Sequence, residues 1–207
     1  MERSSNAWLL PLTGAAFVVL FIVSFIVTGE PVQADDPVDE IVDFYLDNKD
    51  SIIAGQVIGA IGAILLLFFA AHLRRVLEDA GAGWLGILPL LGLVIMTIGF
   101  AIDGTIMIAL AEAADDIEPN SVQTLQALWD NDFLPIALGL LVFYFSVGIA
   151  VLKTAALPKW LGWAAIVLGV VGLIPPIGFV AFLGFAIWML IVSILLSVRA
   201  RPAPVAA

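Results

Sequence analysis

The sequence predicts an all-α protein: a polytopic membrane helical bundle of six transmembrane helices, with short amphipathic helices on the extracytoplasmic side. Composition is the first reason. Of 207 residues, 62% are hydrophobic and only 13% are charged, where a soluble domain carries about 25%. The second is the grouping of the apolar residues into six runs, most of them near the ~20 residues needed to span a bilayer. The third is that the charges between the runs are sorted by sign.

The runs are taken in order as one domain covering residues 1–207. Met1 to Asn6 is short and polar, and residues 7–28 form the first span. Val32-Gln33-Ala34 has the small-residue pattern of a signal-peptidase site. The run before it exceeds the 7–15 residues of a signal core, so an uncleaved anchor is expected. Residues 30–50 carry eight carboxylates. Within them, Asp36-Pro37 reads as an N-cap followed by proline at the first helical position. Val38, Ile41, Val42 and Tyr45 then repeat at i, i+3, i+4, i+7, the pattern of an amphipathic helix with an acidic outer face. Residues 52–73 are the second span, in which Gly55, Gly59 and Ala63 let a neighbouring helix come close. It ends in His72, Arg74 and Arg75, and a loop at 78–83 follows. Residues 84–111 are the third span. Residues 112–132 form a second acidic segment, where Val122, Leu125, Leu128 and Trp129 predict one or two amphipathic turns. The remaining spans are 133–152, 160–174 and 177–198, with a Pro175-Pro176 turn between the last two. Residues 199–207 are basic, then rich in proline and alanine, and read as a disordered tail.

Basic residues fix the orientation. With the N-terminus in the cytoplasm, Arg3, Arg74, Arg75, Lys153, Lys159, Arg199 and Arg201 all fall inside, and Lys49 is the single cation outside. Trp8, Trp84 and Trp160 then lie at the inner ends of spans, as an aromatic belt requires. Both termini are expected in the cytoplasm, and the cell membrane is the expected location.

Three stretches carry a resemblance: HLRRVLEDAG (His72 to Gly81), ALWDNDFLPIALG (Ala127 to Gly139) and LPKWLGWAAIVLGVVG (Leu157 to Gly172). Together they resemble an uncharacterised family of small six-span integral membrane proteins common in actinobacteria, a domain of unknown function. The resemblance runs from near Phe44 to the end of the last span. It implies the same six-span fold, and it implies no activity and no catalytic residues.

Candidate chemistry is sparse. Asp103 is the one carboxylate within a span, and an ionisable residue there is the first place to look for function. At 1.5 Å per residue it lies roughly 28 Å from Trp84, near the outer edge of a core about 30 Å thick. Gln56 and Thr28 have similar depth and are candidate partners. Lys49 lies four residues after Tyr45, so it extends the buried stripe of the outer helix; it either snorkels to solvent among the eight nearby acids or pairs with Asp103. A structural, hydrogen-bonded aspartate at the outer mouth is the competing reading. His72, Arg74 and Arg75 could hold anionic lipid headgroups, or serve only as topology determinants. Gly162, Gly169 and Gly172 could form a dimer face, or pack within the bundle. Ser146 and Ser193 are expected to bond their own helix backbone.

With no cysteine and one histidine, thiolate, multi-histidine metal and haem sites are excluded. No calcium-loop spacing, nucleophile elbow, HExxH or phosphate loop occurs. No cofactor, metal, catalytic residue or nucleic-acid partner is therefore expected. The expected function is a non-enzymatic bundle that binds the lipid bilayer, a membrane protein partner or a second copy of itself. The alternative is a small-solute, proton or cation transporter or channel using Asp103.

Overall fold

The computed structural model describes residues 8–174 and 177–200. Arg3, the Pro175-Pro176 turn and the tail from residue 201 lie outside the described residues. No strand occurs among the described residues. The elements are α1 (Leu12–Thr28), α2 (Val38–Asp47), α3 (Lys49–Asp79), a 3-10 turn (Gly83–Gly86), α4 (Ile87–Ala113), α5 (Pro119–Trp129), α6 (Leu134–Thr154), α7 (Lys159–Gly172) and α8 (Gly178–Ala200). Four helical stretches, Lys49–Asp79, Gly83–Ala113, Pro119–Thr154 and Gly178–Ala200, are long and apolar enough to cross a membrane. The apolar helices α1 and α7 are shorter.

Prolines set several of the boundaries. Pro11 precedes α1, Pro158 is the N-cap of α7, and Pro89 and Pro135 lie in the first turns of α4 and α6. A missing N–H costs nothing there, because the first helical N–H groups have no intrahelical partner. α1 therefore begins at Leu12 rather than at residue 7. In the other direction, α3 runs two turns past its apolar stretch to Asp79. Leu73 and Leu77 are buried there, and Arg74 pairs with Glu78 one turn on at 2.7 Å. α8 also continues through Arg199 to Ala200, so residues 199 and 200 are helical rather than part of the expected disordered tail. The Arg199 guanidinium donates to the Ala156 carbonyl at 3.0 Å, which ties down the last turn.

The chain forms two compact units. One comprises residues 1–18, 64–94 and 139–207, and the other comprises 19–63 and 95–138. In the first, α6, α7 and α8 run antiparallel in succession. Gly148 packs on Gly162, Gly169 on Tyr144 and Phe145, and Gly172 on Leu141. α8 is stitched back by Trp188 Nε1 donating to Leu161 O at 3.0 Å and by the Tyr144 hydroxyl donating to Ala181 O at 2.7 Å. The glycine face of α7 is thus occupied by α6. Ser146 bonds its own helix at the Val142 carbonyl. Ser193 departs from expectation: its buried hydroxyl has no partner, and it sits against Gly14.

In the second unit, α1 meets α3 where Ser24 donates to the Gly55 carbonyl at 2.8 Å and packs on Gly59. The small residues of α3 let α1 approach, as their spacing predicts. α2 and α5 pack on one another. Ile41 and Tyr45 of α2 and Val122 of α5 share one buried cluster with Met107, Leu110 and Ala111 of α4. Asp39, Asp43 and Asp47 are exposed on the other face of α2. Two details of the acidic segments differ from expectation. Asp36 does not cap α2: its carboxylate accepts from the Gln33 N–H at 2.7 Å and closes the preceding turn, while Pro37 is the N-cap. α5 is also longer than one or two turns, spanning 11 residues behind Pro119.

Candidate functional site

The polar residues of the second unit gather where α2, α5 and α4 meet. Tyr45 and Gln126 lie on the buried stripes of their amphipathic helices, and both are fully buried. Burial of a hydroxyl and an amide is tolerable only if they are bonded. The Tyr45 hydroxyl donates to Gln126 Oε1. Gln126 Nε2 donates to the Val32 carbonyl at 2.8 Å and to Asp130 Oδ1 at 2.9 Å. Asp130 Oδ2 accepts from the Ala34 N–H at 2.8 Å, and Gln123 Nε2 donates to the Ala34 carbonyl at 2.9 Å. The network fastens the 32–34 segment across α5. Every polar atom of Gln126 is used in it. Burial, and then the carboxylates of Asp130 and Asp103, hold the Tyr45 phenol well above its ordinary pKa.

Asp103 lies beside this network and within electrostatic reach of Tyr45. The Trp129 indole N–H lies near its carboxylate, and the Asp132 carboxylate is within electrostatic reach. The Trp129 nitrogen stops short of hydrogen-bond geometry. Both it and Asp132 Oδ2 are buried without a partner. Gln56 packs on Gly104, the residue after Asp103: a methyl group at Gly104 would sit 2.8 Å from Gln56 Oε1. Thr28 instead packs on Gly55, and its hydroxyl is unpartnered.

Lys49 does not join this group. Among the described residues the one ion pair is Arg74–Glu78. The physical reason lies in Asn48. Its side-chain amide donates to the Phe44 carbonyl at 2.8 Å and ends α2. The Asn48 carbonyl then accepts from the Ile52 N–H at 2.9 Å as α3 starts. Lys49 is therefore the first residue of α3, not the next step of the α2 stripe.

His72, Arg74 and Arg75 occupy the last turns of α3. His72 lies beside Arg75. Arg74 is engaged by Glu78, which leaves Arg75 as the exposed cation of the three. A groove of about 490 Å³ lies in the first unit. It runs from Trp84 and Leu88 along Leu141, Phe145 and Ile149 to Leu173. Ser146 is the one hydroxyl in its wall, and Trp84 brings the one indole.

Tyr45, Gln126, Trp129, Asp130 and Asp132 escape the sequence reading as site residues. Tyr45 counts as apolar in a periodic stripe, and the acids disappear into an acidic segment. Gln126 carries a usable signal: it follows Val122 by four residues on the buried face of α5, where a polar residue needs partners. The chain matches no protein-family model, no curated protein and no solved structure. The resemblance therefore rests on the three stretches quoted above.

Proposed function

We propose that the protein is a six-span, non-enzymatic integral membrane protein of the cell membrane, with both termini in the cytoplasm, which acts by binding an apolar partner from within the bilayer. The groove carries this reading. Its wall is apolar from Trp84 to Leu173, and its one hydroxyl, Ser146, is spent on its own helix. A solute site needs convergent polar groups to orient its ligand, and this groove offers none. The six-span arrangement is supported by α7. It is only 14 residues long, but it packs antiparallel on both neighbours, with Gly162 against Gly148 and Gly172 against Leu141 and Ala181, the order expected of a chain that crosses once between α6 and α8. The reading is tested by purifying the protein from native membranes in mild detergent and identifying what stays bound. Lipid or a membrane protein at fixed stoichiometry is expected. A protein that carries neither, and that instead conducts a solute when reconstituted, overturns the reading.

A second reading is favoured by one specific observation. Asp103 lies within electrostatic reach of Asp132, whose Oδ2 is buried without a partner, and two neighbouring carboxylates favour uptake of a proton or a cation. Flux of protons or monovalent cations into vesicles, abolished by Asp103→Asn, would establish it. No flux above that of protein-free vesicles would remove it.

A further inference from the structure

The groove has a direction, and charge marks one end of it. On α6 the lining residues Leu141, Phe145 and Ile149 stand four apart, so the next position on that face is Lys153, in the last turn of the helix. On the opposite wall, a methyl group at Gly92 would lie 2.6 Å from the Phe143 nitrogen and 2.8 Å from the Gly139 carbonyl oxygen. That close crossing sets an antiparallel register which brings Trp84 level with Ile149. Lys153 therefore stands one turn beyond the groove mouth, roughly 6 Å along the helix axis. Trp84 flanks the mouth with 74% of its surface exposed.

On α6, α7 and α8 the charge is of one sign, while Glu78, paired with Arg74, packs on Gly86, two residues after Trp84. No acidic residue occurs anywhere in α6, α7 or α8, and their three cations are Lys153, Lys159 and Arg199. All three lie at the turn between α6 and α7. Lys153 precedes it, Lys159 follows it, and Arg199 reaches in to bond the Ala156 carbonyl. Arg74, by contrast, is already neutralised by Glu78. An apolar channel that opens at a tryptophan beneath unpaired cations has the chemistry of a phospholipid site. The chain lies in the groove, the aromatic ring sits at the interface, and the basic groups meet the phosphate.

We propose that one anionic phospholipid binds with an acyl chain in the groove between α4 and α6 and its headgroup at Lys153 and Arg199. This rests on the reading that the partner is met from within the bilayer, and it names the partner's charge and its place. Lys153 has the reach for this, since a lysine stem lies along apolar surface while its ammonium seeks the polar layer.

The test uses full-length protein in phosphatidylcholine vesicles containing lipids brominated on the acyl chain, which quench nearby tryptophan. The Trp84 signal is taken as the difference between the parent and Trp84→Phe. Brominated phosphatidylglycerol should quench it at a lower mole fraction than brominated phosphatidylcholine, by roughly 5-fold for each cation engaged. Lys153→Gln with Arg199→Gln should abolish that preference, and Arg74→Gln with Arg75→Gln should leave it unchanged. Equal quenching by the two lipids in the parent overturns the headgroup site, as does a preference that follows Arg74 and Arg75. Neither result touches the broader reading, which fails only if the same vesicles show protein-dependent solute flux.

Discussion

Gln126 is where a single residue has most to lose. It accepts from the Tyr45 hydroxyl and donates to the Val32 carbonyl and Asp130, all in a fully buried setting. Replacing it by leucine fits the apolar stripe but strands each of those partners. An orphaned buried polar group costs about 1–3 kcal/mol. Gln126→Leu should therefore destabilise the protein by at least about 2 kcal/mol, and Tyr45→Phe, which strands only one acceptor, by about 1 kcal/mol. Thermal unfolding in detergent would check the order, and equal or reversed losses would show that the network is not what holds α2 to α5. The Tyr45 phenol also titrates late, because burial and then two nearby carboxylates disfavour its anion. A folded pKa raised above the unfolded value near 10 gives stability that is complete below pH ~10 and is lost as the pH climbs towards the folded value. Alkaline titration of a Tyr144→Phe protein, in which Tyr45 is the sole tyrosine, should show phenolate absorbance appearing only as the protein unfolds. Phenolate that appears near pH 10 in folded protein would contradict the buried network.

The elements show how far sequence periodicity reaches. The six apolar runs, the outer helix over Val38 to Tyr45 and the close-approach role of Gly55 and Gly59 were legible, because each depends on residue spacing within one segment. The break at Asn48 was not, since asparagine in a polar stretch is as compatible with a continuing helix as with a cap. That one residue separates Lys49 from the α2 stripe and from Asp103. The Asp103, Trp129 and Asp132 group was illegible for another reason: it joins α4 to the turn after α5 through tertiary packing alone. Packing also ranks the glycines. A methyl group at Gly92 meets backbone atoms of α6, which cannot rotate away, whereas at Gly59 the nearest atom is Ser24 Oγ at 3.1 Å, a movable side chain. Gly92→Ala is expected to cost about 1–3 kcal/mol, and Gly59→Ala much less. Comparable melting temperatures for the two variants would refute the ranking. The α6–α7 turn carries the opposite case. Ala155 ends α6 with φ +54, and its N–H bonds the Val151 carbonyl at 2.9 Å. This is a left-handed cap that glycine adopts without steric penalty. Ala155→Gly should raise stability by up to about 1 kcal/mol, and a clear loss would mean that the methyl group packs against something the turn depends on.

Across the whole molecule, charge and compactness divide the chain at the same places. Among the described residues, the first unit holds five of the six lysines and arginines, and the second holds fifteen of the seventeen carboxylates. Nothing in chain packing requires that coincidence. The proposed topology accounts for it, because basic residues are retained on the cytoplasmic side. The six-span proposal is most exposed at α7, whose 14 residues extend only about 21 Å against a hydrocarbon core of about 30 Å. Two positions bracket that helix, Ala156 before it and Ile174 after it. Because the chain has no cysteine, a single introduced one reports its own side of the membrane without background. Ile174→Cys should react with a membrane-impermeant maleimide on intact cells, and Ala156→Cys only after lysis. The local structure explains why a short helix suffices. α7 packs closely on α6 through Gly148 and Gly162, and neighbouring helices can shelter short polar ends. If both cysteines react on the same side, α7 turns back within the membrane. The chain then crosses five times, and the cytoplasmic placement of Arg199 loses its basis.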